Sequence, residues 1–205
     1  MLTALFITIL LLMSSNMEGM VSQATRFENI MLPYEANNVE QVFLDRNGLI
    51  WFITRRGVFT YDGYTARRIL EGNFYTAVYV GNDIIALGCD HGLRWLNINT
   101  KTLADDAPAM PAECDVRSLA VYKSNLYVGT KSHGLFSIGV KSRVWQRYTF
   151  SNDKDDIIFS IHPVGNGLFI SHLHGLAFID AKGNIHDCSI RDNVYQTAYD
   201  KKNNC

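Results

Sequence analysis

Residues 38–62 read NVEQVFLDRNGLIWFITRRGVFTYD, and the chain contains three further copies of this pattern. FYTAVYVGNDIIALGCDHGLRWLN from Phe74, VRSLAVYKSNLYVGTKSHGLFSIG from Val116 and IIFSIHPVGNGLFISHLHGLAFID from Ile157 align without gaps under the stretch that starts at Val39. Each copy opens on a polar residue, Asn38, Asn73, Asp115 or Asp156, and in each a glycine follows 19 residues later, at Gly57, Gly92, Gly134 and Gly175. The openers are spaced by 35, 42 and 41 residues. A fixed core with variable spacers is the mark of a repeated supersecondary unit.

Every copy predicts three strands and a looser fourth. The first columns, such as VEQVFL from Val39 and VRSLAVY from Val116, are rich in β-branched and aromatic residues and alternate imperfectly, as strands covered on both faces do. Hairpin turns follow at DRNG (Asp45), GND (Gly81), KSN (Lys123) and VGNG (Val164). An apolar run comes next (LIWFIT, IIALG, LYVGT, LFIS), then a second turn closed by the glycine, then a third run ending at Asp62, Asn97, Gly139 or Asp180. The fourth segment is clearest in RVWQRYTF from Arg143. Four antiparallel strands at this period make a β-propeller blade. The expected fold is all-β: a partial propeller with blades at about 38–70, 73–104, 115–150 and 156–188. A fifth copy begins at Asn193 (193–205), and 26–32 is placed to act as a ring-closing outer strand. The glycine of the fifth copy would lie beyond Cys205, so the expectation is a fragment of a longer product or a truncated one.

The N-terminus is a different material. MLTALFITILLLM, residues 1–13, has the length of a signal-peptide apolar core, and Ser22-Gln23-Ala24 supplies a small-x-small cleavage site. Residues 1–24 are therefore expected to direct export to the periplasm, although no Lys or Arg precedes the apolar core. No other transmembrane segment is expected. With 205 residues, 47% of them hydrophobic, the chain can bury a core, and a net charge of −1 argues against a nucleic-acid partner. The four cysteines, Cys89, Cys114, Cys188 and Cys205, show no zinc spacing, and their pairing is open between unpaired thiols and a Cys89–Cys114 link across one face.

No GxSxG, HExxH, P-loop or GxGxxG motif is present, so no catalytic residue, cofactor or metal is assigned. Candidate ligand contacts come from the turns between second and third strands, which emerge around the channel mouth: Arg55, Arg56, Asp90, His91, Ser132, His133 and His174, beside Leu173. The column before the glycine reads Arg56, His91, His133, His174. Histidines in register suit a ligand rim or a pH-sensitive patch, and they equally suit tight turns, where His tolerates a left-handed backbone. Trp51, Trp95 and Trp145 could stack on sugars or pack in the core. Asp45, Asp62, Asp180 and Asp200 stand in turn columns.

LDRNGLIWFITRRGVFTYDG from Leu44 and NLYVGTKSHGLFSI from Asn125 resemble the blade signature of the two-component-regulator propellers, and LPYEANNVEQVFLDRNG from Leu32 is similar to the way such sensors begin. These form the periplasmic sensor half of hybrid two-component systems common in gut Bacteroidetes. The second copy departs at Ala86-Leu87-Gly88-Cys89 and the fourth at Ser171-His172. The resemblance implies a non-catalytic sensing module of a homodimeric protein anchored in the inner membrane, with an oligosaccharide as its signal. An exported propeller lyase or glycosidase is the alternative, as is a truncated product without activity.

Overall fold

The structure is a computed structural model that describes residues 29–34, 36, 38–150 and 157–197. The chain divides into two units, 1–31 and 32–205; of the first only 29–31 are described, without a strand, and the second holds all the strands. The expected signal segment (1–24), residues 26–28 of the expected closing strand, Asp156, Asp200 and Cys205 lie outside the described residues.

Among the described residues, sixteen strands form four antiparallel sheets. Blade one is β1 (Val39–Leu44), β2 (Ile50–Thr54), β3 (Gly57–Tyr61) and β4 (Ala66–Leu70). Blade two is β5 (Phe74–Gly81), β6 (Ile84–Cys89), β7 (Gly92–Asn97) and β8 (Thr102–Leu103). Blade three is β9 (Val116–Tyr122), β10 (Asn125–Thr130), β11 (Leu135–Gly139) and β12 (Trp145–Tyr148). Blade four is β13 (Ile158–Val164), β14 (Gly167–His172), β15 (Gly175–Asp180) and β16 (Ile185–Asp187). No helix occurs among the described residues. Residues 193–197, within the expected fifth copy, carry no strand.

The second strands of blades two and three are apolar on both faces because each lies between two neighbouring blades. Trp51 and Ile53 of β2 pack with Phe74, Ile85, Leu87 and Leu96 of blade two, while Phe52 points the other way and meets Ala36 and Phe59. Blade two meets blade three through Ala86, Trp95, Val116, Leu126, Val128 and Phe136. Blade three meets blade four through Tyr127, Leu135, Tyr148, Ile158, Leu168 and Ile170. Each large side chain buried in these layers contributes roughly 1.5–3 kcal/mol. Gly88 and Gly129 occupy equivalent places in β6 and β10, where a Cβ would fall 2.8 Å from Val116 Cγ1 and 2.6 Å from Ile158 Cγ2. Glycine there lets the next blade's first strand close on the sheet.

Three turn columns are locked by their own side chains. Asp45 Oδ1 accepts from the backbone N–H of Asn47 and Leu49, and its Oδ2 accepts from the indole N–H of Trp51 at 2.9 Å. Asp62, Asn97 and Asp180 bind the backbone N–H groups two to four residues ahead. Thr54, Cys89 and Thr130 donate to the carbonyls of Gly57, Gly92 and Gly134 at 2.8, 3.3 and 2.8 Å. The tryptophans belong to the blades: Trp51 and Trp95 are buried, and Trp145 meets Phe136 edge-on. Cys89, Cys114 and Cys188 are free thiols.

Candidate ligand-binding face

The four glycines at constant offset all hold positive φ: 146° at Gly57, 129° at Gly92, 75° at Gly134 and 140° at Gly175. In blades one, two and four, two residues separate the glycine from its partner, Thr54, Cys89 or His172. Blade three uses a three-residue turn, Lys131-Ser132-His133, closed by the Thr130 N–H to Gly134 carbonyl bond at 3.1 Å. His91 takes a left-handed φ of 65° in its turn, as the tight-turn reading expects of a His before Gly. His133 and His174 are not among the residues of positive φ.

Each first strand carries a β-bulge at the same end as these turns. The register slips between Val39 and Gln41, Phe74 and Thr76, Val116 and Ser118, and Ile158 and Ser160. The extra residues are Glu40, Tyr75, Arg117 and Phe159. A bulge frees one side chain from the alternation of the strand and re-aims it.

The bulge residues organise the face. Glu40 Oε1 accepts from Arg55 Nε at 2.5 Å. The Arg55 guanidinium lies 5.7 Å from the Tyr75 ring centroid, and Arg117 covers the same ring at 3.6 Å. The Tyr75 hydroxyl donates to Asp90 Oδ1 and accepts from Asn73 Nδ2. Arg117 is paired with Asp115 at 2.9 Å. Three blades are thus joined across the face by one aromatic ring and two guanidiniums. Burial and the hydrogen bond to Asp90 push the Tyr75 phenol up to about 12. In blade four the bulge residue Phe159 packs against Tyr195, with ring centroids 4.7 Å apart.

Among the seven residues expected from the sequence, Arg55 and Asp90 are brought together through Tyr75. His91 Nδ1 lies 3.1 Å from Glu113 Oε1, and Ser132 bonds the ring of its neighbour His133 at 2.9 Å. Arg56 and His174 are exposed, and their backbone N–H groups bond the Thr54 hydroxyl and the His172 ring. His133 and His174 engage their own turns, whereas His91 reaches Glu113 in the segment that leads into blade three; among the described residues none of the three joins the Tyr75 cluster. Glu40, Tyr75, Arg117 and Phe159 were missed by sequence reasoning, since a bulge leaves no composition signal.

No family model matches the chain. No curated protein matches it either. Among solved structures, it is similar to the extracellular domain ascribed to the hybrid two component system BT4673 of B. thetaiotaomicron, with TM-score 0.75 and 23% identity over 87% of this chain and 26% of that one. It is also similar to the extracellular domain ascribed to BT3049 of the same organism, with TM-score 0.62 and 15% identity over 74% of this chain and 24% of that one. An ancestral GH74 enzyme matches with TM-score 0.56 and 13% identity over 72% and 23% of the two chains. The shared feature is the fold: these are blades of a β-propeller. The chain spans about a quarter of the length of each of these three structures.

Proposed function

We propose that this chain is a ligand-sensing module of an exported two-component sensor, without catalysis of its own, and that it meets an oligosaccharide on the face bearing Arg55, Arg56, Asp90, His91, Ser132, His133 and His174. The observation that carries the reading is the inter-blade cluster around Tyr75, seen on a fold shared with two such extracellular domains. Polar groups on loops held over a rigid scaffold are the usual form of a binding face. The module is placed in the periplasm, within a homodimer whose two conformations differ in affinity for the ligand; signalling then follows from a shift in their populations.

The likeness to a GH74 enzyme keeps a glycosidase as the second reading. Such an enzyme needs one carboxyl group to donate a proton and a second to act as nucleophile or base. The acids of this face are engaged otherwise: Glu40 with Arg55, Asp115 with Arg117, Asp90 with the Tyr75 hydroxyl and Glu113 with His91. That favours binding over hydrolysis. The test is calorimetric titration of an oligosaccharide panel into the protein, with reducing-sugar release followed in parallel. Binding weakened by Arg56→Ala and His133→Ala, unchanged by Arg46→Ala and without sugar release, supports the sensor; turnover of a bound oligosaccharide overturns it. Arg46 is a fair control because it belongs to the turn at the opposite end of β1, where it covers Tyr79 at 4.8 Å.

A further inference from the structure

The turn residues vary in conformation from blade to blade, whereas a bulge recurs near the start of every first strand, and the bulge side chains Tyr75 and Arg117 touch across blades two and three. Tyr75 is buried, with Arg55 and Arg117 over its ring, which leaves little of it open to a ligand. Its neighbours Asn73 Oδ1 and Arg117 Nε are buried without a hydrogen-bond partner among the described residues.

At the next blade the same column changes character. Phe159 is half-buried, and Tyr195, packed against it, is 66% exposed. A pair of apolar rings, one of them open to solvent, stands one strand away from a charged cluster, because β9 and β13 are neighbours in the arc. The charges are already balanced locally: Arg55 is held by Glu40 and Arg117 by Asp115. An anionic ligand drawn to either guanidinium would compete with a carboxylate already in place. A neutral polyol meets both partners of each pair, since its hydroxyls donate to carboxylates and accept from guanidiniums.

Resting on the sensor reading above, we infer that the bulge column is the part of the face that reads the ligand, and that the ligand is an uncharged oligosaccharide. One sugar ring stacks on Phe159 and Tyr195, and the hydroxyls of the next reach Arg117 and Asp115. Tyr75 is a positioning residue, fixing both guanidiniums without touching the sugar.

The experiment is titration of the full 205-residue chain with two sets of probes: neutral gluco-, manno-, xylo-, arabino- and galacto-oligosaccharides, and oligogalacturonates with glucuronate-bearing xylo-oligosaccharides. The expected result is binding confined to a neutral probe. Affinity should fall by about tenfold or more in Tyr195→Ala and Arg117→Ala, and by less in His174→Ala. Tyr195→Phe, which keeps the ring, should bind as the unaltered chain does. Because Tyr195 is exposed, its variants keep the fold even where Arg117→Ala does not, and thermal melting verifies this. Loss in His174→Ala with full binding by Tyr195→Ala overturns this inference and leaves the sensor reading standing. A preference for the uronate probes overturns the assignment of an uncharged ligand. Binding of no probe overturns both readings.

Discussion

The guanidinium of Arg117, in the third blade, lies 3.6 Å from the ring centroid of Tyr75 in the second. On the same ring, Tyr75 carries a hydroxyl bonded to Asp90, so a neutral phenol is what the folded state stabilises. The phenol titrates near 10 when unfolded and is pushed up to about 12 here, by burial first and then by the Asp90 bond. A group whose pKa is raised on folding contributes stability that is complete below the unfolded value and is lost as pH rises through the folded one. Stability should therefore fall between pH 10 and 12, and Tyr75→Phe should flatten the part of the fall that Tyr75 causes. Chemical denaturation across that range, with tyrosinate absorbance as a second signal, checks it. Tyr127 is also pushed up to about 12, by burial and then by Tyr148, so part of the fall should survive the substitution.

Asp45 gives the opposite sign. Its burial opposes the charge, but the Trp51 indole N–H and the backbone N–H groups of Leu49 and Asn47 outweigh this and hold the carboxyl below its usual 3.8. The stability it supplies is present above 3.8 and lost as pH falls through the lowered folded value. Asp45→Ala should destabilise by about 1–3 kcal/mol at neutral pH, because Trp51 is fully buried and its N–H loses its acceptor. Urea unfolding at neutral and at acid pH should show the gap between variant and parent narrowing in acid.

Between the first two blades, the Gln41 side chain donates to the Ala77 carbonyl at 2.9 Å and accepts from the Ala77 N–H at 2.8 Å. Gln41→Ala leaves both backbone groups without that partner and should cost about 1–3 kcal/mol. Gln41→Glu keeps the acceptor for the N–H and sets a carboxylate oxygen against the carbonyl. It should be no better than alanine at neutral pH and should recover as the carboxyl is protonated in acid. Thermal melts of both variants at the two pH values decide the matter.

The glycines of the second turns are separable from ordinary turn residues. Gly134 at φ 75° and Gly57 at φ 146° occupy backbone regions that a β-branched residue adopts only with strain, and a Cβ at Gly57 would also collide with the Leu70 carbonyl. Gly134→Val and Gly57→Val should each cost about 1–3 kcal/mol. Ser132→Val, on an exposed turn position, should stay within about 0.5 kcal/mol of the parent. Equal melting temperatures for Gly134→Val and Ser132→Val would contradict the turn assignment.

The blade repeat was legible in the sequence because its markers are chemical. Asp45, Asp62, Asn97 and Asp180 close turns with their own side chains, and the glycines hold positive φ, so both leave residue-type columns. The bulges were not legible, because compensating changes preserve the 19-residue spacing that exposes the repeat. Blade two carries a second slip between Tyr79 and Gly81, and blade three spends an extra residue in its second turn. In blade four the pairing begins at Ile158, which moves the bulge to Phe159, one residue past the column that a gapless alignment assigns. The histidine column was visible for the converse reason. It marks a shared place in the turns, while the contacts around the Tyr75 ring on this face are made by Arg55 and Arg117 of the flanking blades.

The most direct test of a ligand-reading face on this propeller is hydrogen exchange of the chain with and without a bound oligosaccharide. Added protection is expected at the second turns (55–56, 90–91, 131–133 and 173–174) and at the neighbouring bulges, and none at the first turns at the opposite end of the strands (45–49, 82–83, 123–124 and 165–166). Protection confined to the first turns, or spread equally over both ends, would contradict this expectation.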